Sequence, residues 1–204
     1  MDRTRQNTIK SHFEGMYKSG ITPWKDHPIE PLFYEFFLKL EEENPGGKIL
    51  DIGCGDGWAS IFAAQKGFDA IGIDSSPTAI EQADRGANKA RVEDRVHFQV
   101  GDALDLPFES NYFDALIDGG LFHHILPENR PVYMDNILRV LKKDSFAYFS
   151  VFSMKNPEGI GQRFTREKIE DIFDHHFQAI SFAEDPYPTE TPAHILHFIL
   201  KRKQ

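Results

Sequence analysis

The sequence contains a single cysteine, Cys54, among its 204 residues. No internal disulfide can therefore form, and we expect a reducing, cytoplasmic location. No apolar run approaches the roughly 18 residues that a membrane-spanning helix requires, and the first residues lack the apolar stretch of a signal peptide. With a net charge of −9, the chain also lacks the basic surplus that nucleic acids and anionic membranes attract. These absences favour a small molecule as the partner.

Two nucleotide-binding patterns are missing from the glycine-rich stretch at residues 53–57. Residues 48–52 predict a short buried strand, glycines occupy every second position of 53–57, and 58–66 predict a helix. Strand, glycine turn and helix open a nucleotide-type α/β unit. A dinucleotide fold would place a glycine where Trp58 stands, and a phosphate-binding loop would carry Gly-Lys-Ser or Gly-Lys-Thr, which the chain lacks. The ligand of this turn is therefore expected to carry no pyrophosphate.

Short apolar runs alternate with helical patterns throughout the chain after residue 46. We assign residues 1–45 to an N-terminal helical cap and 46–204 to the main part of a single structural domain. Strands are predicted at 48–52, 70–74, 96–100, 112–118, 146–152, 179–183 and 195–201, and helices at 7–18, 29–43, 58–66, from 76, 130–141 and 165–173. This alternation predicts an α/β fold with a seven-stranded, mostly parallel sheet and helices on both faces. No helix separates the last two strands, so the last strand is predicted to be antiparallel.

Carboxylates lie at the ends of three predicted strands. Asp74 closes the second strand, where a carboxylate accepts hydrogen bonds from both hydroxyls of a ribose. Asp102 follows the third strand, where it can accept from an adenine amino group while the N–H of Ala103 donates to the ring. Asp51 precedes the glycines and can orient the turn or reach a ligand ammonium group through water. Each acid alone is often only a strand-end or helix-cap carboxylate, but the three together indicate an adenosine that carries an amino acid and no phosphate.

These motifs resemble those of the class I S-adenosylmethionine-dependent methyltransferases, and in particular the type 11 and type 25 methyltransferases. The resemblance runs from about residue 48 to 201. It is carried by the segments Leu50–Gly57, Gly72–Ser76, Gly101–Phe108 and Phe113–Ile125. It implies a Rossmann-like fold, S-adenosylmethionine as the cofactor and methyl transfer as the activity. Members of the family usually have Pro-Gly-Gly before the fifth strand, where residues 143–145 of this chain are Lys-Asp-Ser, a departure confined to a predicted surface turn.

The resemblance also assigns residues to the cofactor. It implies that the backbone near Asp118 and Gly119 holds the methionine end. The residues assigned to the cofactor site are Asp51, Gly53, Cys54, Gly55, Trp58, Asp74, Ser75, Asp102, Ala103, Asp118 and Gly119. Cys54 is interpreted as a small residue under the cofactor rather than as a nucleophile.

Aromatic and imidazole side chains are predicted around the methyl acceptor. His123 and His124 follow the fourth strand, and His123 is the candidate for a catalytic base or an acceptor-orienting group. The candidate walls of the substrate pocket are Phe13, Tyr17, Trp24, Phe122 and His123, with residues 153–163 as part of the roof. Structural packing is the alternative for each of these residues. No metal is predicted, because the spacing around the histidine pairs suggests no third ligand.

An upstream segment resembles one branch of the family. Thr22–Pro28 is similar to the Pro-Trp segment that closes over the cofactor and the acceptor in the thiopurine, tellurite and halide methyltransferases. A proline-rich loop whose Trp packs on the core is an equally good interpretation of these residues.

Three functions remain open from the sequence. The first is methyl transfer to a small-molecule acceptor by in-line displacement. It is favoured because the chain has no second cysteine for cytosine-C5 methylation and no Asn/Asp-Pro-Pro-Tyr/Phe motif for adenine methylation. The second is a regulatory or catalytically silent protein that binds the same cofactor, and the third is a nicotinamide-dependent oxidoreductase. We expect no nucleic acid or membrane partner, and either a monomer or a homodimer.

Overall fold

The computed structural model describes residues 3–24, 30–186 and 193–204. Its helices are α1 (Arg3–Ser19), α2 (Pro31–Glu43), α3 (Trp58–Gln65), α4 (Pro77–Ala90), α5 (Arg130–Val140) and α6 (Arg166–Phe173). Its strands are β1 (Lys48–Ile52), β2 (Asp69–Asp74), β3 (Val96–Val100), β4 (Phe113–Asp118), β5 (Leu141–Phe152), β6 (Phe177–Pro186) and β7 (His194–Arg202). Within these described residues, no helix is long and apolar enough to cross a membrane.

All seven strands form one sheet in the order β3-β2-β1-β4-β5-β7-β6. Strand β7 runs antiparallel to both of its neighbours, and the other paired strands are parallel. The predicted seven-stranded, mostly parallel sheet with a reversed last strand is therefore confirmed. The strand order changes direction between β1 and β4, and at such a point the carboxyl ends of the strands leave a crevice for a ligand.

Two apolar cores lie on opposite faces of the sheet. Helices α2, α3 and α4 contribute residues such as Phe36 and Ala63 to one core. Helices α5 and α6 contribute residues such as Ile137 and Phe173 to the other. Strand β4 lies between them, and residues 115–117 at its centre are fully buried. The apolar run of β4 is what a strand covered on both faces requires.

Local signals in the sequence account for several helix boundaries. Ser76 caps α4 as predicted, since its hydroxyl accepts the N–H of Ala79 at 3.0 Å and Pro77 takes the first helical position. Thr165 caps α6 by accepting the N–H of Lys168 at 3.2 Å. These caps fix where the two helices begin, directly after strand β2 and before strand β6.

Candidate active site

A cavity of about 380 Å³ lies at the carboxyl ends of β1 to β4. The predicted cofactor residues that line it are Gly53, Cys54, Gly55, Trp58, Asp74, Ser75, Asp102, Ala103 and Gly119. The structure thus brings together side chains and backbone from four separate segments of the chain. Helix α1, the start of α2, the loop after β4 and strands β5 and β7 also contribute to the lining.

The glycine turn presents its backbone to the cavity because side chains do not fit there. Gly55 has a φ of +56°, and a Cβ on it would lie 2.5 Å from the hydroxyl oxygen of Tyr17. Gly57 has a φ of +81°, and a Cβ on it would lie 2.5 Å from Cζ of Phe98. Glycine adopts positive φ without steric cost and leaves room for the close approach of a ligand.

Asp74 ends β2, and its carboxylate ties the glycine turn to the start of α4. One oxygen accepts the N–H of Gly55 at 3.0 Å, and the other accepts the N–H of Ser76 at 2.8 Å. Burial raises the pKa of this carboxyl. A carboxylate has about four lone-pair positions, so Asp74 can still accept hydrogen bonds from ligand hydroxyls in the cavity that it lines.

Asp102 follows β3 and pairs with Lys10 of α1. The Nζ of Lys10 lies 2.6 Å from Oδ2 of Asp102, while the N–H of Leu104 donates to Oδ1 at 3.0 Å. Lys10 and Asp102 both line the cavity. Sequence reasoning missed Lys10, because no local pattern links α1 to the end of β3. The ion pair places a cation beside the position predicted for the adenine ring.

Asp51 does not line the cavity, and the contact predicted between it and a ligand ammonium group through water stays a prediction. The residue is 2% exposed, and its Oδ2 accepts the hydroxyl and the N–H of Ser60 at 2.6 and 3.1 Å. Ser60 lies in the first turn of α3, where backbone N–H groups lack a partner within the helix. The Asp51 carboxylate therefore supplies the acceptor for one of these N–H groups. Burial raises the pKa of Asp51 to about 7. Of the two roles considered from the sequence, orienting the turn and its helix is the one that these contacts support.

The side chain of Asp118 does not line the cavity, and the contact predicted between the cofactor and the backbone near Asp118 and Gly119 stays a prediction. This side chain is fully buried, and its Oδ1 accepts the N–H groups of residues 120–122. Its Oδ2 accepts the hydroxyl of Tyr133 at 2.6 Å. Burial raises the pKa of Asp118 to about 6. The carboxylate therefore shapes the loop after β4, and within that loop Gly119 lines the cavity.

His123 and His124 both border the cavity. Burial lowers the pKa of His123 well below its usual value and lowers the pKa of His124 to about 4. Both imidazoles are therefore neutral near pH 7, with one donor and one acceptor nitrogen each. The ring of His123 packs on Phe152 with centroids 4.0 Å apart, and His124 packs on Phe13 at 4.7 Å. Within the described ranges no cluster of metal-binding side chains is found.

Of the four aromatic residues predicted as walls of the substrate pocket, three line the cavity. Phe13, Tyr17 and Trp24 line the cavity, and the Trp24 ring lies 5.5 Å from Phe13 and 5.6 Å from Tyr17. The prediction for Phe122 was wrong, since this residue is fully buried in the core and packs on Tyr133 at 5.6 Å. In the short 3-10 turn at 122–124 successive side chains diverge, so the most apolar ring enters the core while the imidazoles border the cavity.

Helix α1 is the roof of the cavity among the described residues. The Gln6 amide, 3% exposed, donates to the carbonyl of His124 at 3.1 Å and accepts the N–H of Leu126 at 3.0 Å. Two turns along the helix, Glu14 accepts the hydroxyl of Thr78 at 2.9 Å. Helix α1 is therefore held to the loop after β4 at one point and to α4 at another.

Two other segments were predicted to cover the acceptor. Residues 153–163 do not line the cavity, and the N–H of Gln162 instead donates to the carbonyl of His123 at 2.7 Å. This segment therefore supports the histidine loop rather than forming a roof. Of the Thr22–Pro28 segment, Pro23 and Trp24 line the cavity, and residues 25–28 lie outside the described residues.

The floor beside the histidines comes from β5 and β7, which sequence reasoning did not assign to the site. Ser150 and Phe152 lie opposite His197 and Ile195 in the antiparallel pair, and all four line the cavity. Residues two apart on a strand share a face. That alternation could have grouped Ser150 with Phe152, but the partner strand is set only by the tertiary fold.

A family model described as “Methyltransferase domain” matches residues 49–144. Among curated proteins, 2-heptyl-1-hydroxyquinolin-4(1H)-one methyltransferase of Mycobacteroides abscessus is 30% identical over 142 residues, 68% of this chain and 61% of that protein. Demethylmenaquinone methyltransferase of Symbiobacterium thermophilum is 36% identical over 109 residues, 52% of this chain and 43% of that protein. The chain thus covers less than two thirds of the length of each of these relatives.

Solved structures share the fold. A 1,6-didemethyltoxoflavin-N1-methyltransferase of Burkholderia thailandensis, with bound 1,6-didemethyltoxoflavin and S-adenosylhomocysteine, is 21% identical. It matches with a TM-score of 0.82 over 100% of this chain and 91% of its own. An S-adenosylmethionine-dependent methyltransferase from Aquifex aeolicus is 15% identical, with a TM-score of 0.63 over 98% of each chain. At these identities the likeness establishes the fold. The resemblance of Thr22–Pro28 to the thiopurine branch stays a prediction.

Proposed function

We propose that this chain is a class I S-adenosylmethionine-dependent methyltransferase and that it transfers a methyl group from S-adenosylmethionine to a small-molecule acceptor. The observation that carries the proposal is a single cavity that joins an acid-lined glycine turn to an aromatic compartment. The turn with Asp74 and Asp102 suits an adenosine. The compartment around His123 suits an acceptor beside it.

The residues of the cavity fit the cofactor. Asp74 would accept hydrogen bonds from the ribose hydroxyls, Asp102 would accept from the adenine amino group, and Ala103 would lie beside the ring. The glycine turn and Gly119 would hold the methionine end. Burial raises the pKa of Cys54, so its side chain remains a thiol and serves as a small packing residue. When bound, S-adenosylmethionine supplies a methyl group on a sulfonium sulfur that leaves as a neutral thioether.

The protein contributes alignment and the exclusion of water. An in-line displacement of this kind disperses charge, so holding the reacting atoms in line in a dry site is the main requirement. Helix α1 covers the cavity through Gln6 and Glu14. The rings of Phe13 and Trp24 line it with apolar surface. His123, neutral and held against Phe152, is proposed to orient the acceptor.

A planar heteroaromatic molecule is the acceptor that these walls suit best. Flat rings pack well against aromatic side chains, and Phe13, Trp24 and Phe152 all line the cavity. Two proteins similar to this chain carry heteroaromatic acceptors in their names, a hydroxyquinolinone and 1,6-didemethyltoxoflavin. We further propose that residues 1–45 act as the cap of the site. We also propose that the protein works in the cytoplasm as a monomer or homodimer, without nucleic acid or membrane partners.

A transfer assay tests the proposed function. The full chain is incubated with methyl-tritiated S-adenosylmethionine and either 2-heptyl-1-hydroxyquinolin-4(1H)-one or 1,6-didemethyltoxoflavin. We expect tritium to appear in at least one acceptor, and to be lost when Asp74 is replaced by alanine. Asp69→Ala is the matched control, because Asp69 begins the same strand and is exposed. Binding of the cofactor without transfer to either compound would favour the catalytically silent alternative.

A further inference from the structure

A lysine side chain from helix α1 reaches the end of the cavity predicted for adenine. The Nζ of Lys10 lies 2.6 Å from Oδ2 of Asp102, and the two side chains are 26% and 27% exposed. Both residues line the cavity. Lys10 lies outside the segments that resemble cofactor-binding motifs, so those motifs assign it no role.

Helix α1 is fixed to the rest of the chain on both sides of Lys10. One turn before it, the Gln6 amide donates to the carbonyl of His124 at 3.1 Å. One turn after it, Glu14 accepts the hydroxyl of Thr78 at 2.9 Å. Residues four apart on a helix share one face, so Gln6, Lys10 and Glu14 form a polar row on α1. The two outer bonds of this row hold the Lys10 ammonium group at the cavity.

The ion pair keeps hydrogen-bonding capacity for a ligand. Asp102 accepts the N–H of Leu104 at Oδ1 and the ammonium group of Lys10 at Oδ2. A carboxylate has about four lone-pair positions and an ammonium group has three N–H donors, so each group can form a further bond in the cavity. The site therefore offers an acceptor and a cationic donor side by side. Such a pair matches a ligand edge on which a donor and an acceptor are also adjacent.

Adenine has two edges of this kind. Its amino group is a donor, and the acceptors N1 and N7 lie on either side of it. Ala103 follows Asp102 directly in the chain, and its backbone N–H is the donor predicted for one of these ring nitrogens. Lys10 reaches the same carboxylate from a different element, helix α1. Its ammonium group is therefore suited to the ring nitrogen on the other side of the amino group.

We infer that Lys10 is a specificity-determining residue that donates a hydrogen bond to N7 of the adenine ring, while Asp102 accepts one from the adjacent amino group. This inference rests on the proposed function. The ion pair then recognises adenine by its amino donor and its N7 acceptor, the same two groups that identify adenine in the major groove of DNA. A base with a carbonyl oxygen at C6 would place that oxygen against the Asp102 carboxylate and is excluded. Hydrogen bonds to charged groups are stronger than those between neutral groups, so the loss of N7 is measurable.

Two ligands that differ only at N7 test the inference without turnover. They are S-adenosylhomocysteine and S-tubercidinylhomocysteine, in which a C–H group replaces N7 of the adenine, and their dissociation constants are measured by calorimetry on the full chain. We expect the wild-type protein to bind S-adenosylhomocysteine about tenfold more tightly, the usual size of one hydrogen bond to a charged donor. Lys10→Met keeps the length of the side chain and removes its donors. In this variant the two ligands are expected to bind equally.

Lys18→Met is the matched control, because Lys18 lies on the same helix, is 67% exposed and pairs with Glu14 at 3.0 Å. It should keep the tenfold preference. Equal binding of the two ligands by the wild-type protein would overturn the inference. So would a preference that survives in Lys10→Met, since Lys10 would then act only on the position of Asp102 or of α1. Failure of the wild-type protein to bind S-adenosylhomocysteine would instead overturn the proposed function. Lys10→Ala gives the same comparison if Lys10→Met does not fold.

Discussion

Replacing Asp74 with alanine is expected to weaken the binding of S-adenosylhomocysteine by roughly 30- to 150-fold, or about 2–3 kcal/mol. The carboxylate lies in the cavity at the end of β2, where ribose hydroxyls would donate charge-assisted hydrogen bonds to it. It also holds the N–H groups of Gly55 and Ser76 at 3.0 and 2.8 Å. Alanine therefore removes ligand contacts and loosens the turn at the same time.

Isothermal calorimetry on the purified full chain measures this effect. Asp69→Ala is again the control, since Asp69 lies at the opposite end of β2 and forms an exposed ion pair with Arg95 at 3.2 Å. An exposed pair of this kind is worth little, so its loss should leave the affinity unchanged. An unchanged affinity in Asp74→Ala would mean that the ribose lies elsewhere.

Replacing Asp118 with alanine is expected to cost about 3–5 kcal/mol of folding free energy. This carboxylate accepts the N–H groups of residues 120–122 and the hydroxyl of Tyr133, and its bonds to Phe122 and Tyr133 are fully buried. Alanine leaves four donors without their acceptor, and each of the two that are fully buried carries a desolvation penalty. Urea unfolding followed by circular dichroism measures the loss. An Asp118→Ala protein as stable as wild type would contradict the structural role assigned to this carboxylate.

The Asp118→Asn variant distinguishes the effect of the hydrogen bonds of this side chain on stability from the effect of its charge. Asparagine keeps an oxygen for the backbone N–H groups but does not titrate. Burial raises the pKa of Asp118 from its usual 3.8 to about 6. A carboxyl whose pKa is higher in the folded state stabilises the protein below its unfolded pKa, and that contribution is lost as the pH rises through the folded value. The stability of wild type relative to Asp118→Asn should therefore fall between about pH 4 and 6, by up to roughly 3 kcal/mol at 1.36 kcal/mol per pKa unit. A difference that does not change with pH would contradict a buried, titrating carboxyl.

The glycine turn and its neighbours could be predicted because their signals are local. A buried strand, alternating glycines and a following helix are adjacent in the sequence, and they fold as β1, the turn and α3. Asp74 and Asp102 were expected beside the turn because the carboxyl ends of parallel strands meet at one edge of the sheet. Both line the cavity.

The roles of Asp51 and Asp118 could not be read from the same position at a strand end. Which group a strand-end carboxylate binds depends on the conformation of the chain that follows it. The start of α3 brings Ser60 back to Asp51, and the 3-10 turn at 122–124 is preceded by N–H groups that converge on Asp118. The carboxylates of Asp51 and Asp118 therefore accept hydrogen bonds from groups inside the protein, whereas the carboxylate of Asp74 also lines the cavity.

Contacts between distant segments were beyond the reach of sequence patterns. Lys10 meets Asp102 because α1 crosses the ends of the strands. His197 meets Tyr148 because β7 inserts beside β5 rather than at the edge of the sheet. Phe122 enters the core because successive side chains of the 3-10 turn at 122–124 point in different directions, and those of His123 and His124 border the cavity. In each case the side chain is set by packing between elements far apart in the chain.

The most direct test of the central claim compares two ligands for the glycine turn. Calorimetric titrations of the full chain with S-adenosylhomocysteine and with NADH distinguish a cofactor without a pyrophosphate from one that carries it. We expect S-adenosylhomocysteine to bind at one site per chain and NADH to give no binding heat. Preferential binding of NADH would contradict the assignment of Asp74 and Asp102 to the cofactor of a methyltransferase.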